Sequence, residues 1–184
     1  VFPLGRAGGG EVCSMVVLIA GASHSGKTVL AQRLLEKYGW PYLSLDLLKM
    51  GLVRSGQTAL TPEQDDKLTG YLWPIAREIV KTAVENSQSL IVEGCYIPFG
   101  WQECFTPEYL QHIRWRCLVL SQGFIRGNFA AMQAHANDVE DRQADSGFTM
   151  GDALAQNAAW QAGCEAHGLP YTLIQGEYDV SLEL

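Results

Sequence analysis

Eight consecutive residues constrain this chain more than any others: Gly21-Ala22-Ser23-His24-Ser25-Gly26-Lys27-Thr28 matches the pattern GxxxxGK[ST]. The wholly apolar run 15–20 precedes it, and a helical stripe of Leu30, Leu34, Leu35 and Tyr38 follows until Gly39. A short continuous apolar run is the pattern of a strand buried on both faces, as in a parallel sheet. Strand, glycine-bearing loop and helix in that order wrap inward-pointing amides around an anion and aim the helix's positive end at it. In such a loop Lys27 reaches the β- and γ-phosphates as a point charge, while the Thr28 hydroxyl ligates Mg²⁺. The composition of the 184-residue chain gives only about 0.005 chance matches to the pattern. Residues 21–28 are therefore read as a triphosphate cradle.

The remaining chain alternates strand and helix signals. Further strands are expected at 41–45, 90–92, 113–120 and 170–175, with a short helix at 47–52. Thr61-Pro62-Glu63-Gln64 reads as a capping box opening a helix whose stripe is Leu68, Leu72, Ile75, Ile79 and Ala83. Pro74 should kink or divide that helix. Thr106-Pro107 repeats the start signal, and helices are expected over 122–136 and 149–167. Five strands separated by helices imply right-handed crossovers and a three-layer α/β/α domain with a five-stranded parallel sheet, spanning 15–184. Residues 1–14 are Gly-rich and aperiodic and are read as a disordered extension; 137–147 is a charged loop in the place of a lid.

Composition excludes several classes. The run 15–20 is far short of the roughly 20 apolar residues that span a bilayer, and no signal-peptide pattern opens the chain, so a cytoplasmic protein without a membrane partner is expected. Cys13, Cys95, Cys104, Cys117 and Cys164 form no CxxC pair, and the histidines show no HxxxH spacing, which argues against a disulfide framework or a transition-metal site. Cys117 reads as a small core residue. The formal net charge is −7; residues 1–92 hold 9 basic and 8 acidic side chains, residues 93–184 hold 4 and 12. A nucleic-acid partner, which needs clustered Lys and Arg, is not expected.

A GxxxxGK[ST] loop at the first strand of a chain this short resembles the small P-loop kinases, a superfamily that includes adenylate, shikimate and gluconate kinases and chloramphenicol phosphotransferase. The zeta-toxin type of P-loop kinase is a further likeness. The guanine-reading NKxD motif of the related GTPases does not occur here, which favours ATP. The resemblance implies an ATP- and Mg²⁺-dependent transfer of the γ-phosphoryl group to a small-molecule hydroxyl acceptor. The alternatives are a nucleoside-monophosphate kinase and a non-catalytic ATP-binding regulatory module.

The same resemblance nominates residues outside the loop. Asp46, in Tyr42-Leu43-Ser44-Leu45-Asp46, stands where shikimate kinase and chloramphenicol phosphotransferase carry an Asp at the acceptor hydroxyl, and would take its proton; as a purely structural residue it would cap the following helix. Leu90-Ile91-Val92-Glu93-Gly94 resembles the strand that ends in Asp-Gly in adenylate kinases. Glu93 there would hold Mg²⁺-bound water or the acceptor, or form a salt bridge. Arg126 and Arg142 fall in the regions matching the helix and lid whose arginines clamp ATP. Arg142 lies among Asp138, Glu140, Asp141 and Asp145, where a surface ion pair is the other reading. Lys49 and Arg54 could bind an anionic acceptor. Adenylate kinase has an Arg where Lys49 stands, and its Asp-Gly-Phe-Pro-Arg run is replaced by Glu93-Gly94-Cys95-Tyr96-Ile97-Pro98, so the monophosphate-binding arginine is missing. Tyr96, Phe99 and Trp101 would either line an acceptor pocket or pack as a satellite core. Arg114 and Arg116, flanking Trp115, read as structural.

Overall fold

The computed structural model describes residues 14–135 and 147–178. The expected extension up to residue 13, most of the lid loop and Arg142 lie outside the described residues. In chain order the elements are β1 (Val16–Gly21), α1 (Lys27–Tyr38), β2 (Tyr42–Ser44), α2 (Leu45–Arg54), α3 (Asp65–Glu85) and β3 (Leu90–Glu93). A 3₁₀ turn (Trp101–Cys104), α4 (Pro107–Leu110), β4 (Ile113–Leu120), α5 (Gln122–His135), α6 (Met150–Ala166) and β5 (Thr172–Ile174) follow.

All the strands pair in parallel, in the order β2-β3-β1-β4-β5. β1 is central and buried along its whole length, which is why its sequence shows no polar alternation. Its side chains instead divide between two cores. Val16, Leu18 and Ala20 pack with Leu68, Leu72, Ala76 and Val80 of α3. Val17 and Ile19 pack with Leu30 and Leu34 of α1 and Ile125 of α5. Fully burying each such Val, Leu or Ile contributes about 1.5–3 kcal/mol. The three-layer architecture expected from the alternation of elements is the one observed.

Three boundaries differ from the expectation. Leu45 leaves β2 and opens α2, because its side chain is fully buried beneath the chain reversal at Gly94. The box at Thr61 forms only in part: the Gln64 side-chain oxygen accepts the Thr61 amide at 3.1 Å, but α3 starts at Asp65. The Gln64 amide reaches back only to the Thr61 carbonyl, so this stretch closes as a turn ahead of the helix. Pro74 does not divide α3, which continues through it to Glu85. Pro74 is on the exposed face, and the residue four positions back, where its ring would crowd the chain, is Gly70.

At the other edge of the sheet, Asn157 of α6 is buried and accepts the Leu120 amide at 2.8 Å through Oδ1, while its Nδ2 donates to the Ala153 carbonyl. α6 begins with a complete capping box, in which the Thr149 hydroxyl accepts the Asp152 amide and the Asp152 carboxylate accepts the Thr149 amide. These contacts set the end of β4 and the start of α6 beside the loop that follows β1.

Candidate active site

β1 ends in Gly21, whose φ is +142° and whose added Cβ would lie 2.4 Å from the Leu118 carbonyl oxygen of β4. Only glycine lets the chain leave the sheet that close to its neighbour. The next turns are made by His24 and Gly26 in the left-handed region, with φ +59° and +85°. The Ser25 amide donates to the Ala22 carbonyl, and the buried Ser25 hydroxyl sits under the loop against Gly21. Gly26 caps α1 without any side-chain bond to the first turn. The opening amides of α1, Thr28 among them, therefore have no intrahelical partner and face the loop with the positive end of the helix.

Lys27 is 5% exposed and folds across the loop, its Nζ donating to the Ala22 carbonyl at 2.7 Å. The ammonium is thus already over the cradle. Neighbouring elements hold the loop from the side of α6: the Ser23 amide donates to Gln156 Oε1 at 3.3 Å, and the His24 ring lies 4.4 Å from that of Phe148. His24 is accordingly a packed wall of the loop, and its backbone supplies the turn.

The carboxylates expected at the strand ends belong to adjoining parts of the sheet edge, Glu93 at the end of β3 and Asp46 just after the end of β2. Glu93 is the last residue of β3, only 1% exposed, in register with Ser44 of β2 and Ile19 of β1. Gly94, with φ +156°, turns the chain against Leu45, where a Cβ would come within 2.8 Å of the Leu45 Cβ. Asp46 is not the tip of β2. It lies in the first turn of α2, whose cap position is Ser44.

One turn on, Lys49 Nζ pairs with Asp46 Oδ1 at 3.1 Å. It also donates to the Tyr96 hydroxyl at 2.8 Å, and Tyr96 donates in turn to Asp65 Oδ1 at 2.7 Å. Burial foremost, with the neighbouring Cys95 and the Asp65 carboxylate, raises the Tyr96 phenol above its ordinary range, so it stays protonated and donates. Burial likewise pushes the Cys95 thiol up to about 11; the charges of Lys27, Asp46, Asp65 and Lys49 all act on it. Cys95 therefore feels charges of both the loop lysine and the Asp46 cluster.

Other expected site residues lie apart from this cluster. Arg54 is the exposed last residue of α2, about 12 Å along the helix from Asp46 at 1.5 Å per residue. Arg126 is exposed on α5. Arg114 and Arg116 donate to main-chain carbonyls of their own strand region, as structural residues do. Of the aromatic loop, Trp101 stacks on Trp115 at 5.8 Å, and Phe99 packs against Trp160 and His167. These belong to the core; only Tyr96 turns its hydroxyl toward the Asp46 cluster.

Asp65 and Tyr178 carry no signal in the sequence. Asp65 is brought to Tyr96 by the start of α3. Tyr178, beyond β5, donates its hydroxyl to the Gly26 carbonyl at 2.8 Å.

The residues present suit a magnesium nucleotide. The loop amides and Lys27 would meet the phosphates, and Thr28 and Glu93 would offer hard oxygen donors. Among the described residues no group of three or more His, Cys, Asp or Glu forms a metal cage. Magnesium held mainly by phosphates and water, with one or two protein oxygens, needs none. Among the same residues no helix is long and apolar enough to cross a membrane.

No family model and no curated protein matches this chain. Solved structures do. Two structures of deoxyadenosine kinase from M. mycoides, one with bound dATP and one with the products dCMP and a flexible dCDP, give TM-scores of 0.54 and 0.55. Each is 12% identical, and the match covers 90% of this chain and 93% and 92% of theirs. A shikimate kinase from Bacteroides thetaiotaomicron is 13% identical over 88% of this chain and 86% of its own, with a TM-score of 0.49. A chain of the Pnkp1/Rnl/Hen1 RNA repair complex is 13% identical at the same TM-score; 81% of this chain is covered, but only 45% of that one. The deoxyadenosine kinase likeness is one of fold.

Proposed function

We propose that this chain is an ATP- and Mg²⁺-dependent kinase that transfers the γ-phosphoryl group to a hydroxyl of a small molecule. One arrangement supports the reading above all: Lys27 folded over a glycine-hinged loop, with Glu93 ending β3 and Asp46 in the first turn of the helix that follows the adjoining β2. Ligands of parallel sheets gather at the carboxyl ends of the strands.

In this mechanism the amides of residues 21–28 and Lys27 hold the triphosphate. Thr28 and, through water, Glu93 would hold the Mg²⁺ ion, which draws off charge from the β- and γ-oxygens when bound. Asp46 orients the acceptor hydroxyl and takes its proton as the oxygen bonds to the γ-phosphorus. The bond from that phosphorus to the bridging oxygen breaks, and ADP leaves with the electron pair. Lys27 stays with the phosphoryl group through the transfer, where the charge it meets is greatest.

The test is transfer of label from γ-labelled ATP to small-molecule acceptors, with ATP binding measured on the same sample. Lys27→Ala should lower turnover by about 10²–10³, the cost typical of removing one donor to the transition state. Undiminished transfer in that variant would sink the reading. Tight, Lys27-dependent ATP binding with no transfer to any acceptor would make the chain a nucleotide-binding regulatory module.

A further inference from the structure

Three elements meet at one buried phenol. Tyr96, in the loop after β3, is 2% exposed, and its hydroxyl bonds two charged side chains. It accepts from Lys49 Nζ of α2 at 2.8 Å and donates to Asp65 Oδ1, at the start of α3, at 2.7 Å. Chemistry sets the direction of both bonds: an ammonium has only donors, an ionised carboxylate only acceptors, and the hydroxyl one proton to give. Burial foremost keeps that proton on the phenol. Bonds to charged groups are shorter and roughly twice as strong as neutral ones. Tyr96 is thus a firm post to which side chains 47 and 31 positions away in the chain are tied.

Lys49 carries this restraint on to Asp46. Its ammonium bonds the Tyr96 hydroxyl and, at 3.1 Å, Asp46 Oδ1, and only 13% of its side chain is exposed. A lysine tied at one point swings on a flexible four-carbon stem. Tied at two, it presents its charge to Oδ1 from a fixed direction and so restrains the Asp46 carboxylate one turn back on the same helix. α2 itself is seated by apolar contacts, with Leu45 fully buried and Leu48 and Leu52 packed on the core. The polar chain adds to that seat the direction of two side chains.

From this geometry we infer that Tyr96 and Asp65 are positioning residues for the transfer: they fix Lys49, and through it the carboxylate of Asp46, where it takes the acceptor proton. The inference rests on the kinase reading above. The acceptor proton passes to Asp46, the freed oxygen bonds to the γ-phosphorus, and the bond to ADP breaks. Lys49, Tyr96 and Asp65 exchange no proton in this step and act by holding its geometry. Misplacing a reacting group by about 1 Å can cost about 10²-fold in rate, so loss of one of the two ties on Lys49 should cost about tenfold.

The test compares variants of the full chain by the initial rate of label transfer from γ-labelled ATP at saturating ATP and Mg²⁺. The dialysable fraction of a cell extract serves as one fixed acceptor pool, and ATP affinity is measured on every variant. Tyr96→Phe keeps the ring and removes the hydroxyl. Asp65 is exposed, so Asp65→Ala breaks the chain without touching the core. Each should lower the transfer rate about tenfold and leave ATP affinity within about twofold of wild type. Asp65→Asn, whose amide oxygen still accepts from Tyr96, should restore most of the rate. In the Asp46→Asn background Tyr96→Phe should cost nothing further, because it acts through the carboxylate already removed. Wild-type rates in Tyr96→Phe and Asp65→Ala, or a second tenfold loss on top of Asp46→Asn, overturn the inference and leave the kinase reading intact. So does a rate loss matched by an equal loss of ATP affinity, which would make Tyr96 a support of the fold alone. No transfer by the wild-type chain, with Lys27-dependent ATP binding, overturns the kinase reading and this inference with it.

Discussion

The Tyr178 hydroxyl donates to the carbonyl of Gly26 at 2.8 Å, so the segment after β5 closes on the hinge of the phosphate loop. The ring lies where a Gly26 side chain would be: an added Cβ falls 2.1 Å from the Tyr178 phenol oxygen and 2.4 Å from the ring carbon that bears it. Arg33 of α1 lies 5.8 Å from the ring centroid. Gly26 thus answers two demands at once, a φ of +85° and a closely approaching phenol.

Gly26→Ala should cost about 1–3 kcal/mol through backbone strain and also displace Tyr178. The clash is separable from the strain. In Gly26→Ala/Tyr178→Ala the steric part should be relieved, so a double-mutant cycle read by denaturant melts should show coupling. Strictly additive losses would mean that Tyr178 yields without cost and contributes nothing to the loop's shape. ATP affinity should fall in Gly26→Ala and recover only partly in the double variant, because the left-handed turn is still forced on an alanine.

Much of this architecture is legible in the sequence because a parallel strand and a glycine hinge leave strong local signals. The run ahead of Gly21 and the stop at Gly39, which bonds back to the Leu35 carbonyl as a left-handed cap, appear almost where expected. Asp46 lies one element beyond its expected place: Leu45 is as apolar as a strand residue, yet it opens α2 and packs against Gly94. The Tyr96–Asp65 bond spans 31 positions and the Tyr178–Gly26 bond 152. Such pairs are set by how α3 and the segment after β5 pack on the sheet, and no periodicity records them. The aromatic loop misleads for a related reason. Tyr96 and Trp101 have similar composition signals, yet Trp101 stacks into the core while the Tyr96 hydroxyl meets Lys49.

Asn157 is a buried amide whose worth lies in two bonds, to the Leu120 amide at 2.8 Å and to the Ala153 carbonyl at 2.8 Å. Asn157→Leu would leave the Leu120 amide without that partner, at a cost of about 1–3 kcal/mol. For a domain of this size that corresponds to about 2–4 °C in Tm per kcal/mol. A thermal melt checks it. An unchanged Tm would mean that the end of β4 is secured by its pairing to β5 alone.

Cys95 offers a pH-dependent readout of the site's interior. Its thiol is pushed up to about 11, by burial first, with Asp46 and Asp65 adding to the rise and Lys27 and Lys49 opposing it. Only the thiolate reacts with an alkylating agent, and at pH 8 about one molecule in a thousand carries it. Iodoacetamide should therefore leave Cys95 unmodified at pH 8 in the native protein, label it after denaturation, and begin to label it in the native state as pH approaches 11. Peptide mass mapping identifies the site. Rapid native labelling at pH 8 would mean that the half-buried Cys95 thiol is not held protonated by its surroundings.

Asp46 carries the sharpest prediction, because its two roles separate in one substitution. In the proposed reaction it takes the proton of the acceptor hydroxyl, and as ion-pair partner it holds Lys49 at 3.1 Å. Asp46→Asn keeps the shape and a weak hydrogen bond to Lys49 but cannot take a proton at neutral pH. ATP affinity should stay within a few-fold of wild type, since the phosphate loop is untouched, while kcat for transfer falls by about 10²–10⁴. Asp46→Glu retains the proton-accepting group one methylene further out and should recover part of the lost rate. Transfer at wild-type rate in Asp46→Asn would assign Asp46 to holding Lys49 alone. Loss of ATP binding in the same variant would place Asp46 with the nucleotide rather than with the acceptor.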